Sequence, residues 1–424
     1  MTVQLREIPA PRVLGGSLAQ RVVLRLLERC ITEGVLHVRL PGGEERRFGG
    51  QAPGPTVRLD VLSDDLFRRL ARSWKMGLGE AYAVGDWRAD DLAGLCELLF
   101  RNVESARRST GLGKWMRLQR FRPHLPLSNT MHRARNHIRY HYDLGNDLYR
   151  LFLDESLTYS CAVWERPGET LEQAQQNKLR RICEKLQLGP EDHVLEIGCG
   201  WGSFAIHAAS TTGCRVTGVT ISREQHPLAI ERVREAGLAD RVEILFQDYR
   251  TLQGTFSKVA SIEMFEAIGL KQYPTYFRTN DRLLAPDGLA CIQTIAIPDH
   301  RFDRYRRTED WIQHYIFPGS LLPSLSAITS AMARASELHV HDLEEIGVNY
   351  ADTLREWRER FLGRLDEVIA LGYDERFLRI WEFYLASCEA AFATRSLRDV
   401  HLVLTRSFND ALPRFATSPP GPAA

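Results

Sequence analysis

A predicted strand followed by three alternate glycines is the segment of this chain whose chemistry is clearest from sequence. Residues 194–197 are predicted to form a short buried strand, and Gly198, Gly200 and Gly202 follow it directly. Apolar residues then recur at roughly helical spacing. A strand–glycine–helix turn lets the backbone approach a ligand closely and points free helix N–H groups at its polar end. The segment therefore predicts a site for a nucleotide-like cofactor.

The glycine spacing and the following strands indicate which cofactor fits. The spacing is G-x-G-x-G instead of G-x-G-x-x-G, and Thr220 stands where an acid would hold the ribose of a nicotinamide cofactor. The form E-I-G-C-G-W-G, which begins at Glu196, is typical of methyltransferases that use S-adenosylmethionine (SAM). Asp248 and Tyr249 follow a later strand, where we expect them beside the adenine. We therefore predict a SAM site that includes Glu196.

Two carboxylates in the segment EMFEAIG (263–269) could take part in chemistry near that loop. Glu266 could position an anion or act as a general base if its pKa suits the site. The alternative is a helix-start carboxylate that contacts only backbone. Glu263 stands at the expected carboxyl end of a strand, where we predict that it holds the amino group of SAM.

Alternating helices and strands from about residue 171 must position these groups. After a helix at about 171–187, strands are predicted in 194–197, 214–222, 241–250, 256–269 and 289–297, with a turn at 283–288. This alternation is typical of an α/β fold, here Rossmann-like, in which ligands bind at the carboxyl ends of the strands. The remainder, about 300–424, is predicted to be mostly helical. We predict a methyltransferase domain over 141–424.

The first part of the chain, 1–110, is predicted to be a small α+β domain that could contact lipid. Residues 17–33 are expected to form a helix with a stripe of Leu18, Val22, Leu26 and Cys30. The sequence from 34 to 50 alternates around Pro-Gly-Gly and predicts a hairpin. Residues 63–102 are expected to form two helices, with Ser63 as an N-cap.

A basic stretch over 101–139, most of which forms a predicted linker at 111–140, changes the local charge sharply. The stretch contains ten Arg or Lys but only one acid, Glu104, and apolar residues such as Trp115 and Phe121 are interspersed among them. One interpretation is a solvated helix. The other is a patch for anionic lipid headgroups, whose apolar side chains dip into the interface.

Bulk properties exclude several classes of protein. The 424 residues carry a net charge of +1, which argues against a general nucleic-acid binder. Eight scattered cysteines fit reduced thiols in a cytoplasmic protein better than a disulfide framework or a zinc site. His141, His300 and His314 have no ligand spacing, and we assign no metal. No apolar run is long enough for a transmembrane helix, so we expect the protein to associate peripherally with the inner face of the membrane.

Six motifs in register carry a resemblance to a known family. They are HYDLGNDLYRLFLDESLTYSCAVW, VLEIGCGWGSF, GVTISREQ, QDYR, EMFEAIG and WIQHYIFPGSLLPS. Together they resemble the cyclopropane-fatty-acid synthase family, SAM-dependent methyltransferases that act on unsaturated acyl chains of membrane phospholipids. The resemblance covers about 125–405, and YAVGDW (82–87) is similar to the family's phospholipid-acting members.

The resemblance implies roles for individual residues. Around SAM it places Tyr159, Ser160, the loop glycines, Thr220, Gln225, Asp248 and Tyr249. Around a bound bicarbonate that serves as base it places Cys161, Glu266, Ile295 and Tyr350. It also implies an acyl-chain substrate at a phospholipid membrane surface, and a homodimer.

The chain departs from the family where EHVG and HTI are expected. It has EAIG and QTI, so Ala267 replaces one histidine and Gln293 replaces a bicarbonate-binding one. Glutamine can hydrogen-bond an anion, but it carries no positive charge and relays no proton. This departure leaves the use of bicarbonate open.

The sequence leaves more than one product and substrate class open. An alkene attacks the methyl group of SAM and leaves a carbocation, which aromatic faces can stabilise. Proton loss from the new methyl group closes a cyclopropane, the product that the resemblance implies, whereas loss from a neighbouring carbon leaves a methyl- or methylene-branched chain. A soluble methyltransferase for a sterol-like or polyketide molecule is a third possibility. The candidate aromatic residues, for which core packing is the alternative role, are Tyr142, Tyr159, Trp164, Phe265, Tyr315, Phe317 and Tyr350.

Overall fold

A computed structural model describes residues 6–8, 16–108 and 144–412, and its first part contains a small mixed sheet with helices. The strands are β1 (Glu33–Arg39), β2 (Glu45–Gly49), β3 (Ala52–Val61) and β4 (Trp87–Ala89). The helices are α1 (Gly16–Cys30), α2 (Asp65–Arg72), α3 (Trp74–Ala83) and α4 (Leu92–Arg108). The strand order is β2-β1-β3-β4, and β1 and β2 form the predicted antiparallel hairpin.

Two predictions for this first part are wrong in detail. The buried face of α1 carries Ala19, Val23 and Leu27, whereas Leu18 is 45% exposed. The stripe is therefore shifted by one residue from the predicted one, because either set has helical spacing and only the contact with the sheet selects between them. Residues 63–102 form three helices, since Ser73 is extended and its hydroxyl caps the start of α3 by accepting a hydrogen bond from the N–H of Met76.

The second sheet has seven strands and is mainly parallel. Its strands are β5 (His193–Ile197), β6 (Arg215–Thr220), β7 (Val242–Phe246), β8 (Phe256–Ile262), β9 (Leu284–Ala296), β10 (Leu338–Glu345) and β11 (Arg398–Arg406). Their order is β10-β11-β9-β8-β5-β6-β7. The pairings among β5 to β9 are parallel, whereas β11 pairs antiparallel with both β9 and β10. The predicted Rossmann-like α/β fold is confirmed.

Eleven helices follow the first part of the chain in the described residues, and several of them pack on this sheet. They are α5 (Asn146–Phe152), α6 (Leu171–Leu186), α7 (Ser203–Thr212), α8 (Gln225–Glu235), α9 (Tyr273–Leu283), α10 (Asp299–Tyr305), α11 (Trp311–Tyr315), α12 (Leu325–Ala335), α13 (Val348–Leu362), α14 (Leu365–Ala370) and α15 (Glu375–Ala393). Short 3₁₀ turns lie at Tyr249–Thr251, Phe265–Ala267 and Leu270–Gln272. Buried side chains form apolar clusters around the sheet.

The topology creates a crevice at the carboxyl end of β5. This strand lies between β6 and β8, so the chain leaves β5 toward one edge of the sheet and returns on its other side. Ligands bind at such a reversal of strand order in open α/β sheets. Two predictions need correction nearby: β9 begins at Leu284 with an irregular start instead of a separate turn, and the last third of the chain adds β10 and β11 to the sheet.

The first part of the chain packs directly on the second. The hydroxyl of Tyr82 on α3 donates to Glu382 Oε2 on α15 at 2.7 Å. At Gly79, a Cβ atom would lie 2.5 Å from Trp311 Nε1, so this helix contact requires glycine. The domain boundaries at 110 and 140 remain a prediction.

Most of the basic stretch over 101–139 lies outside the described residues. Among the described residues of this stretch, the Arg101 side chain forms ion pairs with Glu33 and with Glu97, each at 2.8 Å. Both partners belong to the first part of the chain. The lipid-patch interpretation stays a prediction. Among the residues that the structure describes, no helix is both long and apolar enough to cross a membrane.

Candidate active site

The glycine loop forms the floor of a cleft at the carboxyl end of β5. Gly198, Gly200 and Gly202 have φ angles of +84°, +54° and +84°, a conformation that favours glycine. A Cβ atom on Gly200 would meet no atom within 4 Å, which shows that this residue faces open space. Gly202 caps the start of α7 and does not line the cleft. The loop thus exposes its backbone and the first turn of a helix to a ligand.

The structure brings nearly all the residues predicted for SAM to this cleft. Besides the two loop glycines, the wall includes Tyr159, Ser160, Glu196, Thr220, Gln225, Asp248, Tyr249 and Glu263. They come from the ends of β5, β6, β7 and β8, from the start of α8 and from the segment before α6. Their common location is what the doubly wound topology predicts, because strand ends meet at one edge of a parallel sheet.

Several polar groups of the cleft fit a polar cofactor. The Glu196 carboxyl is 3% exposed, and its Oε2 has no hydrogen-bond partner within the described part of the chain. Burial raises the pKa of Glu196 to about 8. Thr220 Oγ1 donates to Gln225 Oε1 at 3.2 Å, which fixes both side chains at the end of β6. An unsatisfied buried acceptor beside an open glycine loop is suited to the hydroxyl or ammonium groups of SAM.

Asp248 and Tyr249 are held at the end of β7. Asp248 Oδ1 accepts from Arg250 Nε at 2.8 Å, and its Oδ2 pairs with Arg250 Nη2 at 2.5 Å. Burial raises the pKa of Tyr249, so its hydroxyl stays protonated. The ring packs edge-on against Tyr276 at 5.8 Å between centroids. This wall is preorganised, and its role beside an adenine stays a prediction.

Three residues that the resemblance assigns to bicarbonate donate instead to one carboxylate, Glu263. Its Oε1 accepts from the backbone N–H of Cys161 at 2.7 Å and from Gln293 Nε2 at 2.8 Å. Its Oε2 accepts from the Tyr350 hydroxyl at 2.7 Å. Glu263 lines the cleft, but its oxygens are already engaged by protein donors, and its predicted contact with the SAM amino group stays a prediction.

Behind Glu263 lies a buried polar layer that the sequence did not reveal. Gln293 on β9 pairs in register with His401 on β11, and its Oε1 accepts from His401 Nε2 at 3.1 Å. The Gln293 amide also donates to Asp399 Oδ2 at 3.0 Å. Burial lowers the pKa of His401 to about 3, so this ring is neutral. The layer depends on the antiparallel pairing of β9 with β11.

Glu266, in the 3₁₀ turn Phe265–Ala267, is buried and contacts β9. Its Oε1 accepts from the hydroxyl of Thr294 at 2.9 Å and from the backbone N–H of Ile295, which is how Ile295 takes part in the site. Its Oε2 is buried without a partner in the described residues. Burial, reinforced by the charge of Glu263, raises the pKa of Glu266 to about 8. At neutral pH this carboxyl is therefore largely protonated.

The most informative residue that sequence analysis missed is Lys178 on α6. It is fully buried and its Nζ donates to Ser160 Oγ at 2.8 Å. Burial lowers the pKa of Lys178, while the charges of Glu263, Asp154 and Asp399 raise it. The signal was present, since Lys178 has helical spacing with the buried Leu171 and Ala174.

Most of the candidate aromatic residues are packed away from the cleft. Tyr159 lines it, and Tyr350 reaches it through Glu263. Phe265 packs against Tyr273 at 4.4 Å, and the Tyr315 hydroxyl donates to Glu80. Tyr142 lies outside the described residues. Of these candidates, Tyr159 is therefore the one best placed to face a substrate.

Comparison with known proteins agrees with this geometry. Residues 129–402 match the family described as mycolic acid cyclopropane synthetase. Tuberculostearic acid methyltransferase UfaA1 of Mycobacterium tuberculosis is 40% identical over 396 residues, which are 91% of each chain. Cyclopropane-fatty-acyl-phospholipid synthase of Escherichia coli is 40% identical over 369 residues, which are 86% of this chain and 91% of that one.

A solved structure supports the cofactor. Mycolic acid cyclopropane synthase CmaA1, complexed with SAH and CTAB, has a TM-score of 0.59 and 28% identity to this chain, covering 64% of this chain and 98% of that one. The fold, the glycine loop and these relatives agree with one another. The chain belongs to the mycolic acid cyclopropane synthetase family and is a SAM-dependent lipid methyltransferase.

Proposed function

We propose that this protein transfers a methyl group from SAM to the double bond of an unsaturated acyl chain in a membrane phospholipid, and that the product is a methyl- or methylene-branched chain. The acyl substrate is supported by the two relatives whose names state a fatty acid or fatty-acyl phospholipid and which align with most of this chain. The branched product is supported by the arrangement around Gln293.

The protein's part in this reaction is to align groups and exclude water. SAM, when bound, supplies an activated methyl group, so the alkene needs no enzymatic nucleophile. The cleft residues hold the reacting groups in position. The Tyr159 ring, which lines the cleft, can stabilise positive charge on the acyl chain. Cys161 is buried, and burial raises its thiol pKa well above its usual value, so it is unsuited to act as a nucleophile.

The hydrogen bonding of Gln293 is the observation that supports a branched product. Its amide N–H groups donate to Glu263, Asp399 and the carbonyl of Cys161, and its oxygen accepts from His401. An amide has two N–H donors, and here both are used by the protein. The family resemblance implies that ring closure uses bicarbonate as base, and this side chain has no donor left for it.

We also propose that residues 101–139 bring the enzyme to an anionic membrane surface on the cytoplasmic side. The support is the charge of the sequence, ten Arg or Lys against one acid. Binding to anionic vesicles that weakens as salt rises would support this proposal. Equal binding to neutral vesicles would contradict it.

Expression in a bacterium that lacks its own synthase, followed by fatty-acid mass spectrometry, tests the proposed function. A ring and a branched alkene of equal chain length have the same mass. Mild catalytic hydrogenation distinguishes them, because it adds two hydrogens to an alkene and leaves a ring intact. We expect a product with one added carbon that takes up hydrogen.

Other outcomes assign the chain differently. A product that resists hydrogenation would show that the protein is a ring-forming synthase. Unchanged fatty acids, with normal SAM binding by the purified protein, would favour the soluble sterol-like or polyketide substrate. The Gly200→Val variant serves as the control that lacks a cofactor site.

A further inference from the structure

The carboxylate of Glu263 lies where the resemblance places a bicarbonate. We propose that Glu263 is the base that accepts the proton lost by the acyl cation, and that the enzyme therefore works without bicarbonate. This inference rests on the proposed function, because it assigns the last step of that reaction.

Hydrogen-bond geometry is the first support. Donors from Cys161, Gln293 and Tyr350, which come from three distant segments, converge on the two oxygens of Glu263 at 2.7–2.8 Å. These are the donors that an anion bound at this place would need. A protein carboxylate already satisfies them, so a separate anion would compete with it for every donor.

Access to the cleft is the second support, and it separates Glu263 from Glu266. Glu263 is partly exposed and lines the cleft, whereas Glu266 is 8% exposed and gives one oxygen to Thr294 and Ile295. A base must reach the proton that it removes. Of these two carboxylates, Glu263 is the one that can contact an acyl chain.

The backbone at Glu263 is the third support. Its φ angle of +47° lies in the left-handed region, which side chains other than glycine and asparagine seldom adopt. Strained conformations of this kind persist where surrounding structure imposes them, and they cluster at functional sites. Here the strained residue directly follows β8, and its carboxylate accepts the hydrogen bonds from Cys161, Gln293 and Tyr350.

Burial raises the pKa of Glu263, whereas the hydrogen bonds from Cys161 and Tyr350 and the charge of Lys178 lower it. Asp399 hydrogen-bonds Glu263, and burial together with the charge of Glu263 raises the pKa of Asp399 well above its usual value. Asp399 therefore holds the proton in this pair. Lys178 is the buried cation nearby, Glu266 is largely protonated, and His401 is neutral. Glu263 is thus the member of the cluster that is poised to accept a proton.

The proton transfer balances without a further reactant. The electron pair of a carbon–hydrogen bond next to the cationic carbon becomes the new π bond. The proton forms an O–H bond with the Glu263 carboxylate, so the positive charge of the chain and the negative charge of the carboxylate cancel. The proton then leaves to solvent through the cleft.

Bicarbonate dependence of the wild type and of Glu263→Gly tests the inference. Glycine suits the left-handed backbone at this position and removes the carboxylate. The donors from Cys161, Gln293 and Tyr350 are then free to bind another anion. In CO2-free buffer with SAM and unsaturated phospholipid vesicles, we expect the wild type to form product as fast as it does with bicarbonate present. We expect Glu263→Gly to lose about 100-fold in product formation and to recover in part with added bicarbonate or acetate.

Binding of [13C]bicarbonate to the cofactor-free proteins gives a readout independent of activity. By NMR we expect no binding to the wild type and saturable binding to Glu263→Gly. SAM affinity, measured by calorimetry, should stay within about twofold in Glu263→Gly and Glu263→Gln, because in this assignment the Glu263 oxygens accept from protein donors and do not hold the SAM amino group. Glu243→Gln, on the exposed face of β7, is the matched control and should behave as the wild type.

Specific results would overturn this assignment. They are a wild type that needs bicarbonate, a Glu263→Gln variant with the wild-type rate, or bicarbonate binding that is equal in wild type and Glu263→Gly. A wild type that forms no acyl product under any condition would instead contradict the proposed function. The bicarbonate-binding comparison would still decide whether Glu263 fills the anion site.

Discussion

The two ends of the cleft are built in different ways. At the glycine loop, contacts come from the ends of consecutive strands, such as Glu196 on β5 and Thr220 on β6. At the Glu263 end, Cys161, Gln293 and Asp399 come from segments separated by more than 100 residues along the chain. The first end follows from local motifs, and the second exists only when distant strands pair. The residues predicted to bind SAM lie at the glycine-loop end. Gln293, which differs from the family pattern, lies at the Glu263 end.

Filling the glycine loop should abolish cofactor binding while leaving the other end intact. In Gly200→Val, the side chain enters the open space that the cofactor needs, at a φ angle unfavourable for valine. We expect the SAM dissociation constant to rise at least about 100-fold, which corresponds to about 2.7 kcal/mol. Calorimetric titration measures it. Normal affinity would show that the cofactor binds elsewhere.

Converting the Glu263 end to the family pattern should change the product. In the Glu263→Gly, Gln293→His double variant, the donors from Cys161 and Tyr350 are free and a histidine stands where the synthases have one. We expect bicarbonate-dependent turnover with at least a several-fold larger share of ring product. Hydrogenation followed by mass spectrometry measures that share. An unchanged product would show that these two positions do not control where the proton is lost.

Two buried acids, Glu196 at the glycine loop and Glu266 near the Glu263 end of the cleft, have pKa values raised to about 8. Between the unfolded pKa of about 4.5 and this value, the folded state binds more protons, so the free energy of unfolding falls as pH rises from about 5 to 8. Each group contributes up to about 1.4 kcal/mol per pH unit.

Urea unfolding of Glu196→Gln and Glu266→Gln at pH 5, 6.5 and 8 compares the two ends. Each substitution should flatten the pH dependence relative to the wild type, and by a similar amount. A variant whose slope equals that of the wild type would show that its carboxyl group titrates normally in the folded protein.

Removing a single donor from Glu263 should slow product formation less than removing the carboxylate itself. Tyr350→Phe loses one hydrogen bond to a carboxylate, which typically contributes about 1.5–3 kcal/mol. We expect a moderate loss of stability and about tenfold slower product formation, with SAM affinity unchanged. Stopped assays and calorimetry measure both. A change in SAM affinity as large as that in turnover would show that the two ends are coupled.

Local features were predictable from sequence because neighbouring residues determine them. The parallel strands, the glycine loop and the meeting of Thr220 and Asp248 follow from hydrophobic runs and from the rule that strand ends meet. The place of Tyr159 came from the family resemblance. The buried stripe of α1 was wrong by one residue, since helical spacing alone does not say which face meets a sheet.

The sequence by itself determined the fold class and the cofactor. It also identified Glu263 and Glu266 as carboxylates that could take part in the chemistry. The tertiary structure alone decided what those carboxylates touch. Strand β11, in a region expected to be helical, pairs antiparallel with β9 and brings Asp399 and His401 behind Gln293. Hydrogen bonds between strands that are 100 residues apart leave no periodic signal in either segment. Whether Glu263 faces SAM or fills an anion site therefore depends on packing that no local pattern encodes.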